Sequence, residues 1–372
     1  MKIGMFFGEP IEVGGQEAFV EKIVEQFDRE DINVDFITPY YENNRKFEQL
    51  ARKKGGNIYE FGLTFSPGTL RGNLLLPLIK HLRRHKYDVV HVHSGSISVL
   101  GIVATVACLS KTKKVLVHSH CSGVPGLKHT ITKLIFSPLF YILPLTFCAC
   151  SYEAALWKFP DGIAKKKTLI IKNGINLDEF NYSKKIRNEI RNKLNSVEET
   201  VLIGCIGRLA YQKNQEFLLD ILACLERKGN KGKYKLVLIG EGEDREYLAS
   251  KAEKLGVSDR ILFTGNISNV GDYLMALDIV VMPSRFEGFP FVAVEAQAMG
   301  VPVIASTNIS EEIKITHLVE FADLKNKNEW TGLIEDKAKC FDRDAKFKLL
   351  EKGYEIRDVA NLLLNEYCCE IN

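Results

Sequence analysis

Between residues 284 and 295 the chain reads Ser284-Arg285-Phe286-Glu287-Gly288-Phe289-Pro290-Phe291-Val292-Ala293-Val294-Glu295, a run suited to a charged, hydroxylated ligand. A short apolar run ends at Met282, a Gly-containing turn follows, and Pro290 suits the first turn of a helix. The first N–H groups of a helix have no partner inside it. The backbone from Gly288 through Phe289, Pro290 and Phe291 to Val292 is therefore a candidate anion seat. Glu287 stands before that helix and Glu295 within it, flanking the seat as charge-assisted acceptors for sugar and ribose hydroxyls. Glu295 lies among Ala293, Val294, Ala296 and Ala298, where an unpaired carboxylate would be costly.

A second group is Gly207-Arg208-Leu209-Ala210-Tyr211-Gln212-Lys213-Asn214, directly after another apolar run. The planar fork of Arg208 and the point charge of Lys213 can converge on one diphosphate, or stand as two surface cations at a helix start. A third is Gly8 with Gly14-Gly15 after the first apolar run, where backbone can approach a phosphate or simply form a flexible loop. A fourth is His91-Val92-His93 with His118-Ser119-His120. By the period of a strand each pair shares a face, and four imidazoles could bind zinc, although no neighbouring Asp, Glu or Cys completes a ligand set. The other reading of His91, His93 and His118 is hydrogen-bonded histidines at strand ends.

These residues need strands to carry them. Apolar runs alternate with amphipathic stretches, the pattern of parallel sheets covered by helices. Strands are expected at 2–7, 34–38, 57–61, 89–93, 114–118, 145–150 and 168–171, and in a second series at 201–206, 235–239, 261–263, 279–282, 302–305 and 318–321. Helical spacing marks 215–226 and 244–255. The first helix follows the glycines, and the segment from 338 onward is helical without a strand. In open parallel sheets ligands sit beyond the carboxyl ends of strands, where the four groups fall. The 372 residues suffice for two domains, joined near Lys172-Asn173-Gly174-Ile175-Asn176.

Up to residue 175 there are 23 Lys+Arg and 15 Asp+Glu, a balance of 23 − 15 = +8; the remainder balances at −5 within the overall +3. Such a basic first half attracts phosphates or an anionic bilayer, or is a solvated face. Residues 134–152 carry no charge, near the length of a membrane span. Pro138 and Pro144 interrupt them and polar residues close them, so a helix end followed by a buried strand is expected. The start runs directly into a first strand and the nine cysteines show no paired spacing, so a cytoplasmic protein is expected.

Taken in order, Glu287-x7-Glu295, Gly207-Arg208…Lys213-Asn214, Gly14-Gly15 and Lys172-Asn173-Gly174-Ile175 resemble a retaining glycosyltransferase of family 4 with the GT-B fold, closest in look to bacterial transferases of exopolysaccharide and capsule assembly. The resemblance spans essentially the whole chain. It implies two Rossmann-like, doubly wound α/β domains facing a cleft: 1–174 for the acceptor, 175–350 for the nucleotide sugar, and a helix at 351–372 crossing back onto the first. Arg208 and Lys213 would bind the donor diphosphate, Glu295 the ribose, and Glu287 the transferred sugar. The amides of 288–292 would touch sugar and phosphate, and Gly15 would approach the phosphate from the other domain. Gly240 would line the nucleotide side, Ile267 would lie near the base, and His120 would stand at the reacting sugar. Many members carry a Gly-Gly pair where this chain has Thr307-Asn308, and an acidic residue near the start of 145–150 is missing.

The expected chemistry is transfer from a nucleoside diphosphate sugar, a UDP-sugar as a prior, to a saccharide or lipid-diphosphate-linked acceptor. Positive side chains would do the work of a metal, since no Asp-x-Asp triplet follows a strand. No cofactor, metal ion or nucleic acid is expected. Lys128, Lys133, Ile131, Leu134, Ile135 and Phe136 could make a peripheral contact at the inner membrane face, or belong to a buried helix with solvated lysines. Other readings are a nucleotide-sugar epimerase on the same fold, a metal-dependent hydrolase using the histidine pairs, and a non-catalytic subunit, against which Arg208, Lys213, Glu287 and Glu295 argue.

Overall fold

Runs such as Val89-Val90-His91-Val92-His93 and Val201-Leu202-Ile203-Gly204-Cys205-Ile206 are buried along their whole length, as a strand covered by helices on both faces must be. A computed structural model of the chain describes residues 1–12, 14–66, 72–121, 123, 126–227, 232–267 and 269–369. They form two units: Met1–Gly174 together with Ile356–Asn372, and Ile175–Glu355.

The first unit holds β1 (Lys2–Phe7), β2 (Asn33–Thr38), β3 (Ile58–Glu60), β4 (Val89–His93), β5 (Lys114–Ser119), β6 (Leu145–Ala149) and β7 (Thr168–Ile170). Their order is β3-β2-β1-β4-β5-β6-β7 and every pairing is parallel. The second holds β8 (Val201–Ile206), β9 (Tyr234–Ile239), β10 (Ile261–Gly265), β11 (Ile279–Met282), β12 (Val303–Ser306) and β13 (Val319–Ala322), ordered β10-β9-β8-β11-β12-β13 and likewise parallel. All thirteen lie where the apolar runs place them, with bounds that differ by at most two residues. Each sheet reverses its winding once, between β1 and β4 and between β8 and β11. Those are the switch points at which α/β sheets bind ligands.

The helix Ile356–Cys368 belongs to the first unit. Tyr367 is fully buried with its ring 6.1 Å from that of Phe27, and Glu366 pairs with Lys114 at 2.7 Å. Gly174 is glycine for space, because a Cβ there would sit 2.9 Å from Val359 Cγ2 and 3.1 Å from Ile356 Cα.

The uncharged stretch is a helix, Leu127–Ile142, then β6. Pro138 does not interrupt it: the helix carries Pro138 and stops before Pro144. The lost N–H frees one carbonyl of the preceding turn, and nearby the Ser137 hydroxyl donates to the Lys133 carbonyl at 2.6 Å. Leu127, Ile131, Leu134, Ile135, Tyr141 and Ile142 are exposed at helical spacing, and only Phe140 is buried. This excludes the buried-helix reading. Lys133 and Phe136 leave the outward face: Lys133 donates to the Leu156 carbonyl at 2.5 Å, and Phe136 packs where a Cβ on Gly101 would stand. Among the described residues no helix is long and apolar enough to cross a membrane.

Candidate active site

In the second unit, β8 and β9 are followed directly by Gly207 (φ +144°) and Gly240 (φ +133°), in a region that disfavours side chains. A Cβ on Gly240 would lie 2.3 Å from the Gly207 carbonyl oxygen, so the two strand ends run backbone against backbone. The Leu209 N–H donates to the Glu241 carbonyl at 2.9 Å and the Asp244 N–H to the Leu209 carbonyl at 3.1 Å. Gly240 therefore has a packing reason to be glycine, independent of any nucleotide.

The loop after β8 is braced to the loop after β11. Asn214, buried at φ +56°, donates through Nδ2 to the Pro283 carbonyl at 3.0 Å. Gln212 Nε2 donates to the Phe286 carbonyl at 3.1 Å, and the Arg285 N–H to the Gln212 carbonyl at 2.8 Å. This bracing joins Lys213 to Glu287: the ammonium donates to one carboxylate oxygen, and the Ser284 hydroxyl donates to the other at 3.0 Å. Ser284 is fixed in turn by the Ser306 hydroxyl, which donates to its carbonyl at 2.6 Å. The pair is mostly buried, at 19 and 10 % exposure. Arg208 is different. Its side chain is 69 % exposed and pairs through Nε with Glu243 at 3.1 Å.

Pro290 (φ −72°, ψ 132°) stands at the N-cap of the helix Phe291–Ala298 and supplies no side-chain hydrogen bond of its own. Gly288, Phe289 and Pro290 are buried, Phe291 and Val292 half-buried, and the Phe289 ring stacks 5.9 Å from Tyr354. Glu295 is buried on the same helix, and Ile267 follows the end of β10, half-buried. Arg208, Lys213, Gly240, Ile267, Glu287, residues 288–292 and Glu295 thus share one sheet and its carboxyl edge. Gly15 and His120 belong to the other unit.

There, Gly15 opens the helix Gly15–Glu25 behind Gly14, which supplies no side-chain cap. A Cβ on Gly15 would meet nothing within 4 Å, so packing does not call for glycine. The loop is acidic. Glu9 accepts from the Ser94 hydroxyl at 3.0 Å and the Gly95 N–H at 3.1 Å. Glu17 is buried, and its carboxyl is pushed up to about 7, by burial first and then by the charges of Glu9 and Glu12. Glu17 was not singled out in the sequence, although a Glu in the first helical turn after Gly14 is a signal for it.

The four histidines form one cluster. His91 Nδ1 lies 2.6 Å from the Tyr367 hydroxyl, His91 Nε2 3.2 Å from His118 Nδ1, and His93 Nδ1 2.8 Å from His120 Nε2. His93 Nε2 and His118 Nε2 are buried and have no partner among the described residues, so the strand-end histidines are only partly satisfied. Burial holds all four neutral, with His120 pushed down to about 3 by burial and then by the charge of Lys158. Lys158 is buried and donates to the Gly95 carbonyl; nothing in its sequence surroundings marks it. Ligand atoms of His91, His93 and His118 lie within 4.8 Å of one another, close enough for a metal ion. No carboxylate or thiolate joins them among the described residues, so a dication would stand buried without opposing charge.

Two Rossmann-like units, the second with Lys213 and Glu287 paired at its switch point, define a two-domain α/β protein of parallel sheets. Residues 13–179 match the sequence model described as Glycosyltransferase Family 4, and residues 186–341 the one described as Glycosyl transferases group 1. The chain belongs to the family 4-like glycosyltransferases of GT-B fold. A Bacillus subtilis (strain 168) protein named as a glycosyltransferase, EpsF, is 26% identical over 368 residues, covering 95% of this chain and 93% of its own. The Escherichia coli UDP-Gal:alpha-D-GlcNAc-diphosphoundecaprenol alpha-1,3-galactosyltransferase is 26% identical over 252 residues, 62% of this chain and 61% of its own. The crystal structure of Anabaena Alr3699/HepE in complex with UDP shares the fold, with TM-score 0.77, 18% identity, and coverage of 98% of this chain and 99% of that one.

Proposed function

We propose that this glycosyltransferase moves a sugar from a UDP-sugar to a saccharide or lipid-diphosphate-linked acceptor in cell-surface polysaccharide assembly, with retention and without a required metal ion. The carrying observation is the mostly buried Lys213–Glu287 pair, braced by Ser284 where the neighbouring strands β8 and β11 end. As the glycosidic bond breaks, charge grows on the leaving diphosphate. Lys213 stabilises it from a fixed position, joined by Arg208 and by backbone N–H groups near the helix start, Pro290 having none to offer. Glu287, oriented by Ser284 and Lys213, accepts from hydroxyls of the transferred sugar, and Glu295 from the ribose. Gly15 leaves open space for a phosphate. Glu17, protonated for part of the time near pH 7, reduces the repulsion that the anion would meet there. The UDP-Gal donor and diphosphoundecaprenol-linked acceptor of the Escherichia coli relative, and the UDP bound by the Anabaena protein, support UDP as nucleotide, and the former a lipid-linked acceptor. Thermal stabilisation by UDP, GDP and their sugars, without and with a chelator, tests the donor. UDP and UDP-sugars should raise Tm equally in both conditions, and no response to any nucleotide would overturn the reading.

A lipid-linked acceptor would bring the protein to the inner face of the cell membrane, with the exposed stripe of Leu127, Ile131, Leu134, Ile135, Tyr141 and Ile142 as the surface for that contact. Lys128 flanks it. The protein should float with anionic vesicles, and the double variant Leu134→Glu, Ile135→Glu should stay at the bottom of the gradient. Equal flotation of both proteins would remove the contact.

A further inference from the structure

The histidine cluster carries information about protons that its distances alone do not state. A neutral imidazole has one N–H and one bare nitrogen, and which is which follows from the network. His93 Nε2 and His118 Nε2 are both buried and unpartnered among the described residues. A stranded N–H is the rarer and costlier kind of orphan, so both atoms are bare nitrogens. His93 then carries its proton on Nδ1 and donates to His120 Nε2 at 2.8 Å, which leaves the His120 proton on Nδ1. The other branch obeys the same rule. His118 Nδ1–H donates to His91 Nε2, His91 Nδ1–H donates to the Tyr367 oxygen, and the Tyr367 hydroxyl turns to Met5 Sδ at 3.9 Å. Both branches end without a buried N–H left over.

We propose that His93 is a positioning residue whose hydrogen bond fixes His120 as the Nδ1–H tautomer, so that His120 offers the reacting sugar a donor rather than a base. Three observations support it. His120 is half-buried while His93 is wholly buried, and Nδ1 of His120 has no partner among the described residues. The His120 ring is held by stacking on His118 at 4.2 Å and edge-on by Phe19 at 4.9 Å, so its orientation is set as well. Its neutrality at working pH leaves the tautomer as the variable that decides between donor and acceptor. A fixed Nδ1–H suits a hydroxyl or ring oxygen of the transferred sugar and cannot remove a proton from the acceptor.

The proposal rests on the reading that places His120 at the reacting sugar, and two measurements separate them. The first is the 15N spectrum of the histidines in the full-length protein. His120 should be the Nδ1–H tautomer in the parent and in His93→Asn, whose amide can donate in place of Nδ1, and should lose that preference in His93→Phe. The second is UDP release from UDP-glucose, UDP-galactose and UDP-N-acetylglucosamine. His93→Phe should lower kcat at least about fivefold with KM little changed, and His93→Asn should restore most of it. His93→Phe should have no further effect in a His120→Ala background, as coupled neighbours require. Retained stabilisation by UDP shows that each variant folds. An unchanged His120 tautomer in His93→Phe, or additive losses in the double variant, overturns the role of His93. If His120→Ala turns over like the parent, the placement of His120 fails, whatever the spectrum reports.

Discussion

Replacing Lys213 by Ala is expected to lower kcat for UDP release from a UDP-sugar by about 10²–10³, the loss seen when a fixed charge-stabilising donor is removed from a transition state. The size follows from how the ammonium is held. It is mostly buried, its partner Glu287 is pinned by Ser284, and Ser284 is pinned by Ser306. A cation in such a place is already oriented when charge develops on the diphosphate. Removing it also leaves the Glu287 carboxylate without its ion partner, so KM should rise along with the fall in kcat. Arg208→Ala should cost no more than this. Arg208 is exposed and its bond to Glu243 is screened by solvent, so part of its binding energy goes into breaking that pair. Arg208→Lys should not restore it, because a point charge does not replace a two-pronged fork on a phosphate. Steady-state kinetics of the three variants check the order, and Lys213→Ala or Arg208→Ala turning over like the parent would remove both residues from the reaction.

The strands were legible because a two-sided parallel strand writes itself as a run of apolar, often β-branched residues, and Val89-Val90 or Ile279-Val280-Val281 have no other use. The site loops were legible because they follow those runs. Pairings across the sheet were not. Lys213 and Glu287 stand 74 residues apart, and their contact depends on β8 lying next to β11, an order that local pattern does not contain. For the same reason the spacing His91-x-His93 and His118-x-His120 announces two pairs on strand faces but not that β4 lies beside β5 with His93 opposite His118. That register makes one cluster out of two pairs. Helix Leu127–Ile142 failed differently. Its apolar stripe has helical period whether it faces protein or something else, so periodicity could not decide its exposure. Lys158 is the plainest omission: a lysine in a short amphipathic helix reads as a surface charge until the fold buries it against Gly95.

Asp278→Ala should destabilise the second unit by about 3–5 kcal/mol, the cost of removing one partner from a buried ion cluster. Asp278 is fully buried immediately before β11. One carboxylate oxygen accepts from Arg187 at 2.7 Å, and the other from Arg191 at 3.0 Å and from the Leu202 N–H of β8 at 2.8 Å. It therefore ties the amino ends of the two strands whose carboxyl ends carry Lys213 and Glu287. Both arginines also donate to carbonyls: Arg187 to Met275 at 2.9 Å, Arg191 to Ala276 at 3.0 Å and Thr200 at 2.6 Å. Without the Asp278 carboxylate the two buried positive charges would keep only carbonyls and the largely exposed Glu198, 3.5 Å from Arg187 and 3.7 Å from Arg191. Replacing all three side chains together by Leu or Met should cost much less, because no unpaired charge is then left inside. Calorimetry of the full chain separates the cases: the transition of the second unit should fall by on the order of 10 °C in Asp278→Ala. UDP binding should weaken in parallel as the strand ends loosen. A transition that stays within about a degree of the parent would mean that the strand starts are held by packing alone. The Lys213–Glu287 site would then owe nothing to the charges beneath it.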